Sequence, residues 1–103
     1  MKNYSYNNFF MNFSNKTKLG IILALEYGPL SVKEITERLN GEQSRISHNL
    51  GKLLQCHILN VEQKGKQRIY SLNSETVAPM LSIVKKHIKK NCLVGCNKKL
   101  TRG

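Results

Sequence analysis

Residues 31–56 read SVKEITERLNGEQSRISHNLGKLLQC, and the fold is decided there. Ser31-Val32-Lys33-Glu34 has the form of a capping box. The Ser31 hydroxyl is placed to accept from the Glu34 amide, and the Glu34 carboxylate to accept from the Ser31 amide, so a helix is predicted to start at Val32. Val32, Ile35 and Leu39 fall on one side of it, and Asn40-Gly41, both tolerant of positive φ, can end it. A second helix is predicted from residue 43 to about residue 56, with Ile46, Leu50, Leu53 and Leu54 on one stripe. Two short helices joined by so tight a turn make a helix-turn-helix.

In such a motif the second helix lies in the major groove of DNA, with its N-terminal half at the base edges. The apolar stripe leaves Gln43, Ser44, Arg45, Ser47, His48, Asn49 and Lys52 for the outward face, and no acidic residue interrupts them. Arg suits guanine, Gln or Asn suits adenine, and Ser suits either, while Lys52 suits a phosphate. Gln43 and Ser44 also begin the helix, where unpaired backbone amides attract anions.

On the C-terminal side, Ile58-Leu59-Asn60-Val61, a turn over residues 63–66 containing Gly65, and the alternating run Gln67-Arg68-Ile69-Tyr70-Ser71-Leu72 predict a β-hairpin with Ile69 and Leu72 toward the core. Lys64, Lys66 and Arg68 on this hairpin suit phosphate or minor-groove contact. On the N-terminal side, residues 16–27 predict a helix with Leu19, Ile22, Leu23 and Leu25 buried, stopped by Gly28-Pro29 in a left-handed cap. Residues 4–13 hold five of the seven aromatic residues. They predict a further short helix that packs on the domain or on a second subunit, because that much exposed apolar surface marks an interface. Residues 74–91 predict a long closing helix with Val77, Met80, Leu81, Val84 and Ile88 on one stripe. The expected fold is therefore mainly α with a small β-hairpin: a winged helix-turn-helix of four helices, two strands and a fifth helix. The apolar faces of the N-terminal and C-terminal helices are expected to form a two-fold homodimer interface.

Seventeen Lys and Arg against six Asp and Glu give a net charge of +11, which favours a polyanionic partner, double-stranded DNA above all. All six acids precede residue 83, whereas seven of the basic residues follow residue 82. We read residues 1–91 as one DNA-binding and dimerisation domain, and residues 92–103 as a basic, cysteine-containing tail that can hold phosphates without reading sequence. No run of about 18 apolar residues could span a membrane, and residues 1–13 lack the apolar core and cleavage site of a secretion signal, so a cytoplasmic protein is expected. One hundred and three residues with no paired carboxylates, no nucleophile beside a histidine and no Gly-rich phosphate loop do not suggest an enzyme. A reading of another class is a winged-helix protein-interaction module with only non-specific nucleic-acid affinity, against which the acid-free face of residues 43–52 speaks.

The run GPLSVKEITERLNGEQSRISHNLGKLLQCHILNVEQKGKQRIYSLN, residues 28–73, resembles the ArsR/SmtB family of bacterial and archaeal repressors. The likeness rests on the Q-S-x-I-S-x-x-L pattern at Gln43 to Leu50, the I-L before the wing, and the G-K-x-x-x-Y-x-L wing at Gly65 to Leu72. It implies an elongated homodimer, paired through the first and last helices, that binds an inverted repeat and is released by an inducer. Metal-sensing members carry Cys-Val-Cys at the start of the first motif helix, where this chain has Ser31, Val32 and Lys33. A zinc site between paired last helices needs two acids and two histidines, and this helix offers Glu75 and His87. Of the three cysteines, Cys92 and Cys96 sit among Lys89, Lys90, Lys98 and Lys99, whose charge favours thiolate, making them candidate ligands for a thiol-bound metal ion or a redox pair, with Cys56 as a further ligand.

Overall fold

The computed structural model describes residues 3–92, which divide into two units between Asn73 and Ser74. The first unit holds helices α1 (Asn3–Met11), α2 (Lys16–Ala24), α3 (Val32–Leu39) and α4 (Gln43–Gln55) and strands β1 (Leu30–Ser31), β2 (Leu59–Lys64) and β3 (Gln67–Leu72). The second holds α5 (Val77–His87), continued by a π-helical turn over Ile88–Cys92.

The capping box is formed: Glu34 N donates to Ser31 Oγ at 3.2 Å and Ser31 N to Glu34 Oε1 at 2.9 Å. Both helices of the motif end alike. Asn40 closes α3 at φ 53°, with Asn40 N donating to Glu37 O and Gly41 N to Thr36 O. His57 closes α4 at φ 58°, with His57 N donating to Leu54 O and Ile58 N to Leu53 O. These are the paired bonds of a Schellman motif, which satisfy the last helical carbonyls, and Asn and His are among the few residues other than Gly that take its left-handed position. Asn73 Nδ2 fixes the second closure by donating to His57 O at 2.9 Å.

The core of this unit is Ile21, Ile22, Ile35, Ile46, Leu50, Leu53, Ile58 and Leu59, all buried. It departs from the sequence expectation on α2. Ile21 is fully buried, whereas Leu23, expected inside, is 43 % exposed. The run Leu19 to Leu25 is apolar on nearly every side apart from Gly20, so its own periodicity singles out no face; α3 and α4, which α2 contacts, choose it. The α-helical part also stops at Ala24, with a 3-10 turn over Leu25–Tyr27. Gly28 ends that turn at φ 137° and ψ 172°, a region open to glycine but not the left-handed helical conformation expected.

The sheet has three antiparallel strands rather than two, in the order β1-β3-β2. Leu30 pairs with Tyr70 and Ser31 with Ile69, so β3 lies in the middle. Tyr70, not Ile69, is the buried side chain of β3, and Ile69 and Leu72 are partly exposed. Side chains alternate along a strand, so Tyr70 and Leu72 share one face and Ile69 takes the other. The first hairpin strand also runs farther than expected, to Lys64, while the second starts at Gln67 as expected. Only Gly65 and Lys66 remain in the loop, with Gly65 at φ 63°, the positive φ that the first residue of a type II′ turn requires.

α1 forms as expected and shows Tyr6, Phe10 and Met11 to solvent, while Asn12 closes it by donating through Nδ2 to Asn8 O and Phe9 O. On α5, Val77 and Leu81 are buried and Ile83 and Val84 exposed, as is Ile88 at the start of the π-helical turn. The regular helix ends at His87, short of the expected residue 91. No helix among the described residues is long and apolar enough to cross a membrane.

Candidate nucleic-acid interface

α4 buries Ile46, Asn49, Leu50 and Leu53. At about 100° per residue the direction opposite these four is held by Ser44, His48, Gly51 and Gln55, with Ser47 on one flank and Arg45 and Lys52 on the other. All seven are exposed, as is Gln43 at the first helical position. The N-cap residue Glu42 makes no capping bond through its side chain. The first amides of α4 are therefore not claimed by that carboxylate and can meet an anion.

Asn49 is the correction among the outward residues expected from the sequence. It is only 8 % exposed, and its Nδ2 donates to Arg45 O at 2.9 Å. A short polar side chain can be buried on a helix when it returns its donor to the carbonyl one turn earlier. Asn49 therefore belongs to the inner face and is not available to an adenine. The sequence reading also passed over Gly51 and Gln55. A signal for them was there, since both follow Ser47 and Ser44 at helical spacing and end on the same face.

On the hairpin, Lys64 and Lys66 are exposed. Lys64 Nζ lies 3.9 Å from Glu62 Oε1, the two side chains sharing one face of β2. So exposed a pair contributes little stability, and Lys64 can leave it for a phosphate. Arg68 is held more firmly: its guanidinium carbon sits 5.8 Å from the centre of the buried Tyr70 ring, within the range of cation–π attraction. Gln63 Nε2 donates to Gly65 O at 3.0 Å and ties the tip to its strand.

A helix-turn-helix with a basic wing is a DNA-binding architecture, and known proteins of this kind match it in sequence. The family model for bacterial regulatory proteins of the arsR family matches residues 15–61. The transcriptional repressor SdpR of Bacillus subtilis (strain 168) is 30% identical over 84 residues, which are 82% of this chain and 93% of that protein. The chain belongs to the ArsR family.

Solved structures bear the ArsR-family fold out. HlyU from Vibrio cholerae N16961 superposes with a TM-score of 0.73 at 24% identity, over 87% of this chain and 95% of that one. The homodimeric winged helix-turn-helix DNA-binding domain Mb0332 from Mycobacterium bovis gives a TM-score of 0.73 at 19% identity, over 96% and 84%. Like them, this ArsR-family chain is a winged helix-turn-helix, the fold of DNA-binding transcriptional regulators.

In this ArsR-family chain the position of the metal-binding Cys-Val-Cys is spent on structure: Ser31 is the buried N-cap of α3. No group of three His, Cys, Asp or Glu that could hold a metal ion occurs among the described residues. Of the thiols expected as ligands, Cys56 is free and exposed at the end of α4. Cys96 and the side chain of Cys92 lie outside the described residues. Two thiolates alone do not complete a zinc site.

Proposed function

We propose that the chain is a homodimeric transcriptional repressor that reads an inverted repeat with α4 and holds the flanking backbone with its hairpin. The observation that carries the reading is the outward face of α4, which is exposed along its length and carries no acid between Gln43 and Gln55. Gln43, Ser44, Arg45, Ser47 and His48 are the candidates for base edges, because they occupy the N-terminal half that enters the groove. Lys52 lies a turn farther on and fits a phosphate, as do Lys64 and Lys66, while Arg68, steadied by Tyr70, fits the narrower minor groove.

A second copy is the partner we assign to the apolar side chains left in solvent. Tyr6, Phe10 and Met11 on α1 and Ile83, Val84 and Ile88 on the last helical stretch are each exposed, and a two-fold interface would remove them from water. The repressor SdpR and the homodimeric Mb0332 support the same reading by likeness. Residues 92–103 would add sequence-independent phosphate contacts, and a cytoplasmic place follows from a DNA partner.

Selection of duplexes from a random pool at moderate salt tests the proposal. Recovery of a two-fold symmetric motif is expected, its half-sites about one helical turn apart. Recovery of no common motif would refute sequence-specific reading, and a monomer in gel filtration would refute the dimer.

A further inference from the structure

A groove of about 510 Å³ lies beside the reading helix, within the first unit, among the N-terminal end of α2, the α3–α4 turn and the first turn of α4. That volume is in the range of small-molecule sites. Its apolar side is made by Leu19, Leu23, Leu39 and Ile46. Leu23 is the apolar side chain of α2 left 43 % exposed, and it gives the groove accessible apolar surface. Gly20 helps to form the floor, where a Cβ would approach Leu39 Cδ2 at 3.4 Å and narrow the space.

The polar rim has two cations, Lys16 and Arg45, and one acid, Glu42. None of the three is in an ion pair with another described residue. An apolar trough with a net positive rim fits an amphipathic anion. Glu42 restricts the fit to one negative charge, since a second carboxylate would face its own sign.

We propose that this groove binds a small organic monoanion with an apolar chain, such as a medium-chain carboxylate, and that occupancy takes Arg45 away from DNA. The binding half stands on the groove alone. The regulatory half rests on the proposed reading in which Arg45 contacts a base, and it makes the ligand an inducer that competes at the DNA face itself.

The test uses the full chain and octanoate as probe, with hexanoate, octanedioate and octylammonium for comparison, followed by methyl NMR. Saturable shifts are expected at Leu19, Leu23, Leu39 and Ile46. Affinity should rise about fourfold for each methylene between hexanoate and octanoate. Octanedioate and octylammonium should bind at least tenfold more weakly. Leu23→Asp, at an exposed position outside the DNA face, should abolish the shifts, and Lys16→Gln should weaken them while both keep the parent's DNA affinity. Non-saturable shifts, or shifts centred on the Met11 methyl of the aromatic helix, would overturn the site. Groove binding that leaves DNA affinity unchanged, in a protein whose Arg45→Ala variant has lost DNA affinity, would overturn the regulatory half. A parent chain that binds octanoate in the groove but no DNA supports the site and overturns the regulatory half, together with the reading it rests on.

Discussion

Replacing Gly51 by Ala should make the protein more stable and a poorer DNA binder. Gly51 is near the centre of the 13-residue α4, and an added Cβ would meet nothing within 4 Å. Its backbone is not in the positive-φ region, so Ala fits without strain. Glycine in a helix interior costs about 0.8 to 1.0 kcal/mol relative to alanine, and no packing in the free protein requires it. For 103 residues at roughly 2.1 cal/mol/K per residue, that gain raises Tm by about 4 °C. On the DNA side, Gly51 lies near the middle of the face opposite Ile46, Leu50 and Leu53. A methyl group pressed into a close-fitting surface costs about 1 to 3 kcal/mol, so affinity should fall roughly fivefold or more. Thermal unfolding by circular dichroism, at one protein concentration, and a mobility shift at fixed salt read the two effects separately. An unchanged or lower Tm would refute the propensity argument; an unchanged DNA affinity would refute the placement of this face against DNA.

Arg45→Ala should relax preference at one base of each half-site and cost about 1 to 3 kcal/mol, measured by competition between operator variants. Lys64→Ala should instead weaken all sequences alike and flatten the salt dependence, its plot of log affinity against log salt losing about one unit of slope. Ser31→Ala removes the Oγ acceptor of the Glu34 amide and should lower stability by about 1 kcal/mol in urea unfolding. Phe10→Asp puts a charge on the exposed aromatic face of α1 and should shift sedimentation toward monomer without loss of helix signal; an unchanged dimer would exclude α1 from the interface.

The helix-turn-helix was legible because what makes it is local. The capping box, the left-handed Asn40 and the stripe Ile46, Leu50 and Leu53 involve residues no more than a few positions apart, and a helix satisfies its backbone within the same span. The wing was legible for a similar reason: a Gly-containing loop between two β-prone runs brings adjacent strands together. The reading face of α4 followed from those boundaries, and Ser44, Arg45 and His48 are exposed as its periodicity requires.

Tertiary structure decided whatever depends on which neighbour covers a surface. β1 is two residues long and has no periodicity of its own; it is a strand only because Leu30 and Ser31 find Tyr70 and Ile69 some forty positions later. That pairing, with the alternation along β3, puts Tyr70 inside instead of Ile69. Along α2 nearly every side is apolar, so the choice of Ile21 over Leu23 belongs to α3 and α4. Asn49 reads as polar and hence outward, but a bond to the carbonyl of Arg45 removes the penalty for burying its donor. The sequence by itself thus set where the helices start and stop and which one can enter a groove, because hydrogen bonds and periodicity act over three or four residues. The inner identity of Tyr70, Ile21 and Asn49, and the groove that Leu23 borders, came from the fold, because burial is a property of surfaces brought together from distant parts of the chain.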